Sequence, residues 1–146
     1  MTRHLVDVNL LLALLWPRHE NHHTAQAWFA KSGHRAWATN PLVQLGALRL
    51  LTNPAVTQGT VGATTALDAL SDATSHPGHE FWPLGSEPFG ILKTLAPTIQ
   101  GHQQWTDALL LSQAAHREGV LVTFDTGVKA LAAPEFTSHV LLLRPR

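Results

Sequence analysis

Two late segments, "VLVTF" at residues 120–124 and "SHVLLL" at 138–143, carry apolar residues at consecutive positions instead of alternate ones. A strand built that way is apolar on both faces, so both faces of its sheet must be covered. That is the condition of a parallel sheet between layers of helices. The rest of the chain supplies the helices: segments with helical spacing recur between short strand-like runs from the first residues onward. The expectation is an α/β fold, a three-layer α/β/α domain around a central, mostly parallel sheet. A length of 146 residues predicts one domain over 1–146.

Along the chain, "RHLVDV" (3–8) reads as a strand and "NLLLALLW" (9–16) as a helix, with Asn9 as a possible N-cap and Pro17 as its stop. "ENHHTAQAWFAKSG" (20–33) forms the second arm of a helix hairpin and closes on Gly33, and "RAWAT" (35–39) is a strand. Asn40 and Pro41 open a helix over 41–53, whose Leu42, Leu45, Leu48 and Leu51 are expected to be buried. Residues 64–76 form a weaker helix, "HEFWPL" (79–84) a strand up to its proline, and residues 87–97 a short helix. "TIQGHQQW" (98–105) is a polar loop leading into the helix that begins at Thr106 and stops at Gly119. After the strand at 120–124, residues 126–133 are a short turn or helix.

Charged residues make up 14% of the chain, against a usual share of about 25%. An acid inside an apolar run is therefore informative, and there are three. Asp7 ends the first strand, Asp125 directly follows "VLVTF", and Asp107 lies in the first turn of its helix, after a capping-type Thr106. Ligands of open α/β sheets bind beyond the carboxyl ends of the strands, which is where Asp7 and Asp125 fall. Each acid has a plainer role if taken alone. Asp107 suits the N-H groups of a helix start, and Asp125 in "FDTG" suits a turn. Asp7, followed by an apolar helix, is harder to explain so.

Three carboxylates at one edge would repel each other and raise at least one pKa. A hard divalent cation such as Mg²⁺ or Mn²⁺ removes the conflict and can drive hydrolysis of a phosphodiester. The chain has no cysteine, so any metal is held by oxygen or nitrogen, disulfides are excluded, and a cytosolic setting is favoured. Lys+Arg and Asp+Glu balance at 10 each, which gives no general basic footprint for nucleic acid and leaves only local patches. The apolar segment at 9–16 is too short to span a bilayer.

The blocks "LVDVNLLLALLWPRHENHHTAQAWF", "TNPLVQLGALRLLTNP" and "TDALLLSQAAHREGVLVTFDTGVKAL" resemble, in order and spacing, those of PIN-domain ribonucleases, most closely VapC-type toxins of bacterial toxin-antitoxin pairs. The resemblance implies an Mg²⁺ or Mn²⁺ site that cuts RNA, held by Asp7, Asp107 and Asp125 and supported by Asn9, Thr106 and Thr123. It also implies a small antitoxin that blocks the site, and a homodimer. One position departs from the family pattern: where a second-block Glu is usual, this chain has Gln44. A neutral amide can orient water but adds no charge toward a cation, so its assignment is water positioning or a structural helix position. Arg49, further along the same helix, is a candidate for phosphate. Trp105, in the polar loop, is a candidate for the substrate groove.

Ten histidines invite a metal reading, but His19, His22 and His23 straddle a helix start and lack the spacing of a zinc helix. Solvated imidazoles are the default there, and His4 is placed as an edge residue. Trp16 and Trp28 are candidates for a partner surface, with core packing favoured for Trp28. Two other functions compete with the nuclease. One is a phosphohydrolase with Asp7 as nucleophile, which would want an acid where Asn9 stands, or a phosphate-receiving regulator, and either would want a lysine after a late strand, for which Lys129 is a loose candidate. The other competitor is a PIN fold that has lost activity through Gln44 and serves as a binding module.

Overall fold

The computed structural model describes residues 1–144. In chain order it comprises β1 (His4–Val6), α1 (Val8–Leu15), α2 (His22–Lys31), β2 (Trp37–Thr39), α3 (Pro41–Leu51), α4 (Pro54–Thr57), α5 (Ala63–Thr74), β3 (His79–Phe81), α6 (Phe89–Leu95), α7 (Gln104–His116), β4 (Val120–Thr123), α8 (Thr126–Ala132) and β5 (Val140–Leu142). The strands form one sheet in the order β3-β2-β1-β4-β5, and every pairing is parallel. From β1 the chain steps outward to β2 and β3, then crosses back to β4 and β5. Right-handed crossovers put α1–α5 on one face and α6–α8 on the other, as the packing of α1 on α3 and of α7 on α6 and α8 records. The order reverses between β1 and β4, so the crevice at their carboxyl ends is the switch point of the sheet.

The core follows the apolar runs. Leu5 and Val6 of β1, Leu121 and Val122 of β4, Leu10 and Leu11 of α1, and Leu110 and Leu111 of α7 are fully buried. Truncating one of these leucines to alanine costs about 2–5 kcal/mol by lost transfer energy and cavity formation. β5 is apolar but only half-buried along its length, because as the edge strand it has a neighbour on one side alone. Gly33 is required for close approach rather than for ending α2. A Cβ there would stand 2.5 Å from the Trp28 indole, which lies across it.

Several local expectations are corrected. The cap of α1 is Asp7, whose carboxylate accepts from Leu10 N, while Asn9 lies inside the first turn. A carboxylate accepts more strongly from the unpaired N-H groups of a helix start than an amide does. The polar loop already contains the start of α7 at Gln104, so Thr106 is the third helical residue and caps nothing. In α3 the buried stripe is Val43, Ala47 and Leu51, with Leu42 and Leu48 half-buried and Leu45 60% exposed. Leu51 meets the expectation, and Leu45 fails it because its side of the helix faces a groove instead of the core. Of residues 126–133, Thr126–Ala132 form the helix α8, capped by Asp125. The last apolar run opens with a 3-10 turn, Thr137–His139, before β5. Among the described residues no helix is long and apolar enough to cross a membrane.

Candidate active site

Asp7 leaves β1 in extended conformation and divides its two oxygens between two tasks. Oδ1 accepts from Leu10 N at 2.8 Å and so caps α1, and Oδ2 accepts from the Thr123 hydroxyl at 2.5 Å. The side chain is buried, and that loss of hydration pushes its pKa up to about 6. The two hydrogen bonds pull the other way, while Asp107 and Asp125 add repulsion that raises it further.

Thr123, the last residue of β4, also accepts from Asp125 N at 3.0 Å, so one hydroxyl ties the first acid to the backbone of the third. Asp125 is exposed, and its Oδ1 accepts from Gly127 N at 2.8 Å to cap α8. Capping therefore uses one oxygen of each strand-end acid. Asp107, the fourth residue of α7, is half-buried, and burial followed by the charge of Asp125 pushes its pKa up to about 6. Among the described residues no hydrogen bond opposes that rise, in contrast to Asp7. The three acids thus share one electrostatic neighbourhood, with two of them held well above the usual carboxylate range.

Among the described residues, no cationic side chain forms an ion pair with them. Among the described residues the one ion pair is Arg3 with Glu80 at 2.8 Å. Lys129 forms no ion pair there, which leaves the phosphate-receiver arrangement without its lysine contact. Nor do three His, Asp or Glu side chains stand close enough among the described residues to enclose an ion by themselves. Such an open, all-oxygen donor set suits a hard cation that takes one or two carboxylates and keeps its remaining waters.

A second polar frame lies one strand over. Asn40, fully buried at the end of β2, caps α3 through Oδ1 and Val43 N at 2.9 Å, and donates Nδ2 to Gln113 Oε1 of α7 at 2.8 Å. Gln113 in turn donates to the Pro83 carbonyl at 3.1 Å. Gln44, half-buried on α3, donates Nε2 to Thr39 Oγ1 at 3.0 Å, and Thr39 Oγ1 stands 2.8 Å from His79 Nε2. Sequence reasoning placed Asn40 only as a cap and passed over Thr39, His79 and Gln113. A buried Gln in an apolar helix was the one available signal.

The other candidates spread more widely. Asn9 is exposed on the first turn of α1, next to Asp7. Thr106 and Trp105 are exposed on the first turn of α7, Trp105 by 51%. Arg49 is exposed at the far end of α3, about 13 Å from Asn40 by helical rise. There it lines a groove with Leu45, Leu48 and Leu67 between α3 and α5, away from the acids. Three histidines serve the scaffold: His22, His34 and His139 bond to the carbonyls of Ala13, Phe29 and Gly119. His4 lies in the central strand, bonds the Ala36 carbonyl and packs edge-on against Trp28.

Acids at the switch point of a parallel sheet occur in more than one family of α/β proteins; the sequence decides between them, and the PIN domain model matches residues 4–134. The chain belongs to the PIN-domain family. Within it, the chain is similar to Ribonuclease VapC38 of Mycobacterium tuberculosis, 37% identical over 139 residues that span 95% of this chain and 96% of that protein. Ribonuclease VapC39 of the same organism is 36% identical over 127 residues, 85% of this chain and 89% of the relative. Among solved structures, Mycobacterium tuberculosis VapC20, described as a Sarcin-Ricin loop cleaving toxin, matches with a TM-score of 0.69. It covers 97% of this chain and 99% of its own at 16% identity, a likeness of fold.

Proposed function

We propose that this chain, taken as one unit over 1–146, is a divalent-metal-dependent endoribonuclease, the toxin of a type II toxin-antitoxin pair. Its relatives are named ribonucleases, and the observation that carries the chemistry is local. Asp7 and Asp107 are pushed up to about 6 by burial and by neighbouring acids, and no cation of the described chain pairs with them. A cation from solution is the partner that such a cluster favours.

Asp7, Asp107 and Asp125 would hold Mg²⁺ or Mn²⁺. When bound, the ion supplies positive charge to the attacked phosphate and lowers the pKa of water at the site. The chain's own residues do the rest. Thr123 fixes the Asp7 carboxylate and aligns the backbone that carries Asp125. Gln44, whose amide nitrogen is engaged with Thr39, has its oxygen left to accept from a water. Trp105 offers a face on which a base can stack, and Asn9 and Thr106 offer donors to the sugar-phosphate chain. Arg49 would meet only a more distant phosphate. A small antitoxin and a second copy of the chain are the partners this reading brings with it from the family, in the cytoplasm.

The competing reading is a binding module without catalysis, favoured by the neutral Gln44 and by a donor set that does not close on an ion unaided. Cleavage of a pool of structured RNAs by purified protein, freed of any bound partner, separates the two. The arms are Mg²⁺, Mn²⁺ and EDTA, with Asp7→Ala and Asp125→Ala beside the wild type. Discrete metal-dependent cuts absent from both variants support the nuclease. Folded wild type that cuts no more than its variants on any RNA overturns it.

A further inference from the structure

The helix that carries Asp107 is poorly specified by its apolar residues. From Ala108 to Ala114, α7 has Ala108, Leu110, Leu111, Ser112, Gln113 and Ala114 buried and only Leu109 half-buried, so its middle turns are enclosed around most of their circumference instead of along one stripe. A helix that is apolar all round can rotate or slide with little change in buried area, because each position exchanges one apolar contact for another. Yet Asp107 must be placed to within a fraction of one residue. A slip of one residue moves a side chain about 1.5 Å along the axis and about 100° around it.

Two buried polar side chains interrupt this uniformity. Ser112 bonds back to the Ala108 carbonyl at 2.7 Å within its own helix, so it carries no information about neighbours. Gln113, 2% exposed, is held at both ends of its amide: Oε1 accepts from Asn40 Nδ2 at 2.8 Å and Nε2 donates to the Pro83 carbonyl at 3.1 Å. Asn40 is itself fixed, being fully buried and bound through Oδ1 to Val43 N at 2.9 Å. It sits two residues past the Leu5–Ala38 pair, at the same level as Asp7 on the adjacent strand. The contact thus passes over the carboxyl edge of the sheet, joining the start of α3 on one face to α7 on the other. Only one rotation and one height of α7 satisfy all of these groups, and any other leaves polar atoms unpaired in the core.

We infer that Gln113, gripped by Asn40, is the positioning residue that sets the register of α7 and thereby aims Asp107 at Asp7 and Asp125. The inference rests on the reading of those acids as the ion-binding group. Gln113 touches neither ion nor RNA in this account and acts through Asp107.

The test compares Gln113→Leu, Asn40→Ser and the double variant, with Asp107→Asn as the reference for the acid site. Ser keeps an N-cap for α3 but does not reach Gln113, so one variant remains informative should the other not fold. Mn²⁺ affinity is read from free Mn²⁺ by electron paramagnetic resonance, beside circular dichroism melting and the kcat and KM for one RNA. The expectation is folded variants that bind Mn²⁺ about tenfold more weakly and cut with lower kcat at unchanged KM. The double variant should be no worse than Gln113→Leu alone, since that change already removes the one contact to Gln113 that Asn40→Ser breaks. Wild-type Mn²⁺ affinity and kcat in both folded single variants, beside a loss in Asp107→Asn, overturn the inference and leave the acid site standing. Wild-type behaviour in Asp107→Asn overturns the underlying reading and the inference with it.

Discussion

Thr123 donates its hydroxyl to Asp7 Oδ2 at 2.5 Å, across the gap between the two strands at which the sheet order reverses. The same oxygen accepts from Asp125 N at 3.0 Å, so a single side chain organises two of the three acids. The hydroxyl has one proton, and receiving the amide of Asp125 directs that proton to the carboxylate. The bond favours the charged form of Asp7 against the effect of burial.

Replacing Thr123 by Val should raise the Asp7 pKa further, because the bond that lowers it disappears while the burial stays. Hydrogen bonds to a charged group contribute about 1.5–3 kcal/mol, or about one to two pKa units, so the ionised fraction of Asp7 at pH 7, and cleavage with it, should fall by about twofold to fifteenfold. Thr123→Ser should recover most of the loss. A carboxylate titration by NMR on the two variants checks the direction. An unchanged Asp7 pKa in Thr123→Val would remove the hydroxyl from the account.

Asp7 also makes the metal-free protein pH-sensitive. Its folded pKa, about 6, lies above its ordinary 3.8, so the folded state holds the proton more tightly than the unfolded state does. The stabilisation from that proton is fully present below pH 3.8 and lost as pH rises through 6. A shift of about two units corresponds to about 3 kcal/mol. Asp7→Asn keeps a capping side chain without the charge. It should be more stable than wild type at pH 7.5, with the difference vanishing toward pH 4. Thermal melts of both proteins in EDTA from pH 4.5 to 8 test this, and parallel curves would contradict it.

Protons and cations compete for the same carboxylates. With Asp7 and Asp107 both raised to about 6, Mn²⁺ affinity should climb with pH through that value and level off above pH 7. Below 6 the fall should approach a hundredfold per pH unit if both acids must ionise, and tenfold if one suffices. Calorimetric titrations at pH 5, 6, 7 and 8 distinguish these slopes. A flat profile would mean that neither acid binds the ion.

Gln44→Glu adds a carboxylate beside the Thr39 hydroxyl, which can turn to donate to it. Mn²⁺ affinity should rise severalfold over a wild type that already binds. A wild type with no measurable affinity, converted to a binder by this one change, would instead favour the inactive binding module.

Gly78 is a test of the scaffold. A Cβ there would fall 1.8 Å from the His34 carbonyl oxygen, a backbone atom that has little freedom to move, while the Gly78 carbonyl accepts from Trp37 N at 3.0 Å at the entry of β2. Gly78→Ala should therefore cost about 2–4 kcal/mol, read by urea denaturation. A loss below about 0.5 kcal/mol would show that the turn before β3 gives way freely.

Much of this protein is determined locally and is legible without coordinates. Consecutive apolar residues in a strand demand cover on both faces, which sets the parallel sheet and the alternation of helices around it. Strand ends followed by helix starts then put Asp7, Asn40 and Asp125 at one edge, because a short polar side chain at that junction satisfies N-H groups that have no other partner. What the local pattern left undecided was contact between distant segments. The Thr123 bond to Asp7 spans 116 residues and the Asn40 bond to Gln113 spans 73, and no local periodicity encodes either. Leu45 obeys helical spacing and still faces a groove, since spacing tells which residues share a face but not what the face meets. Only the tertiary structure decided the height and rotation of α7, and so the place of Asp107, because an enclosed apolar helix receives its register from the few buried polar groups it must satisfy.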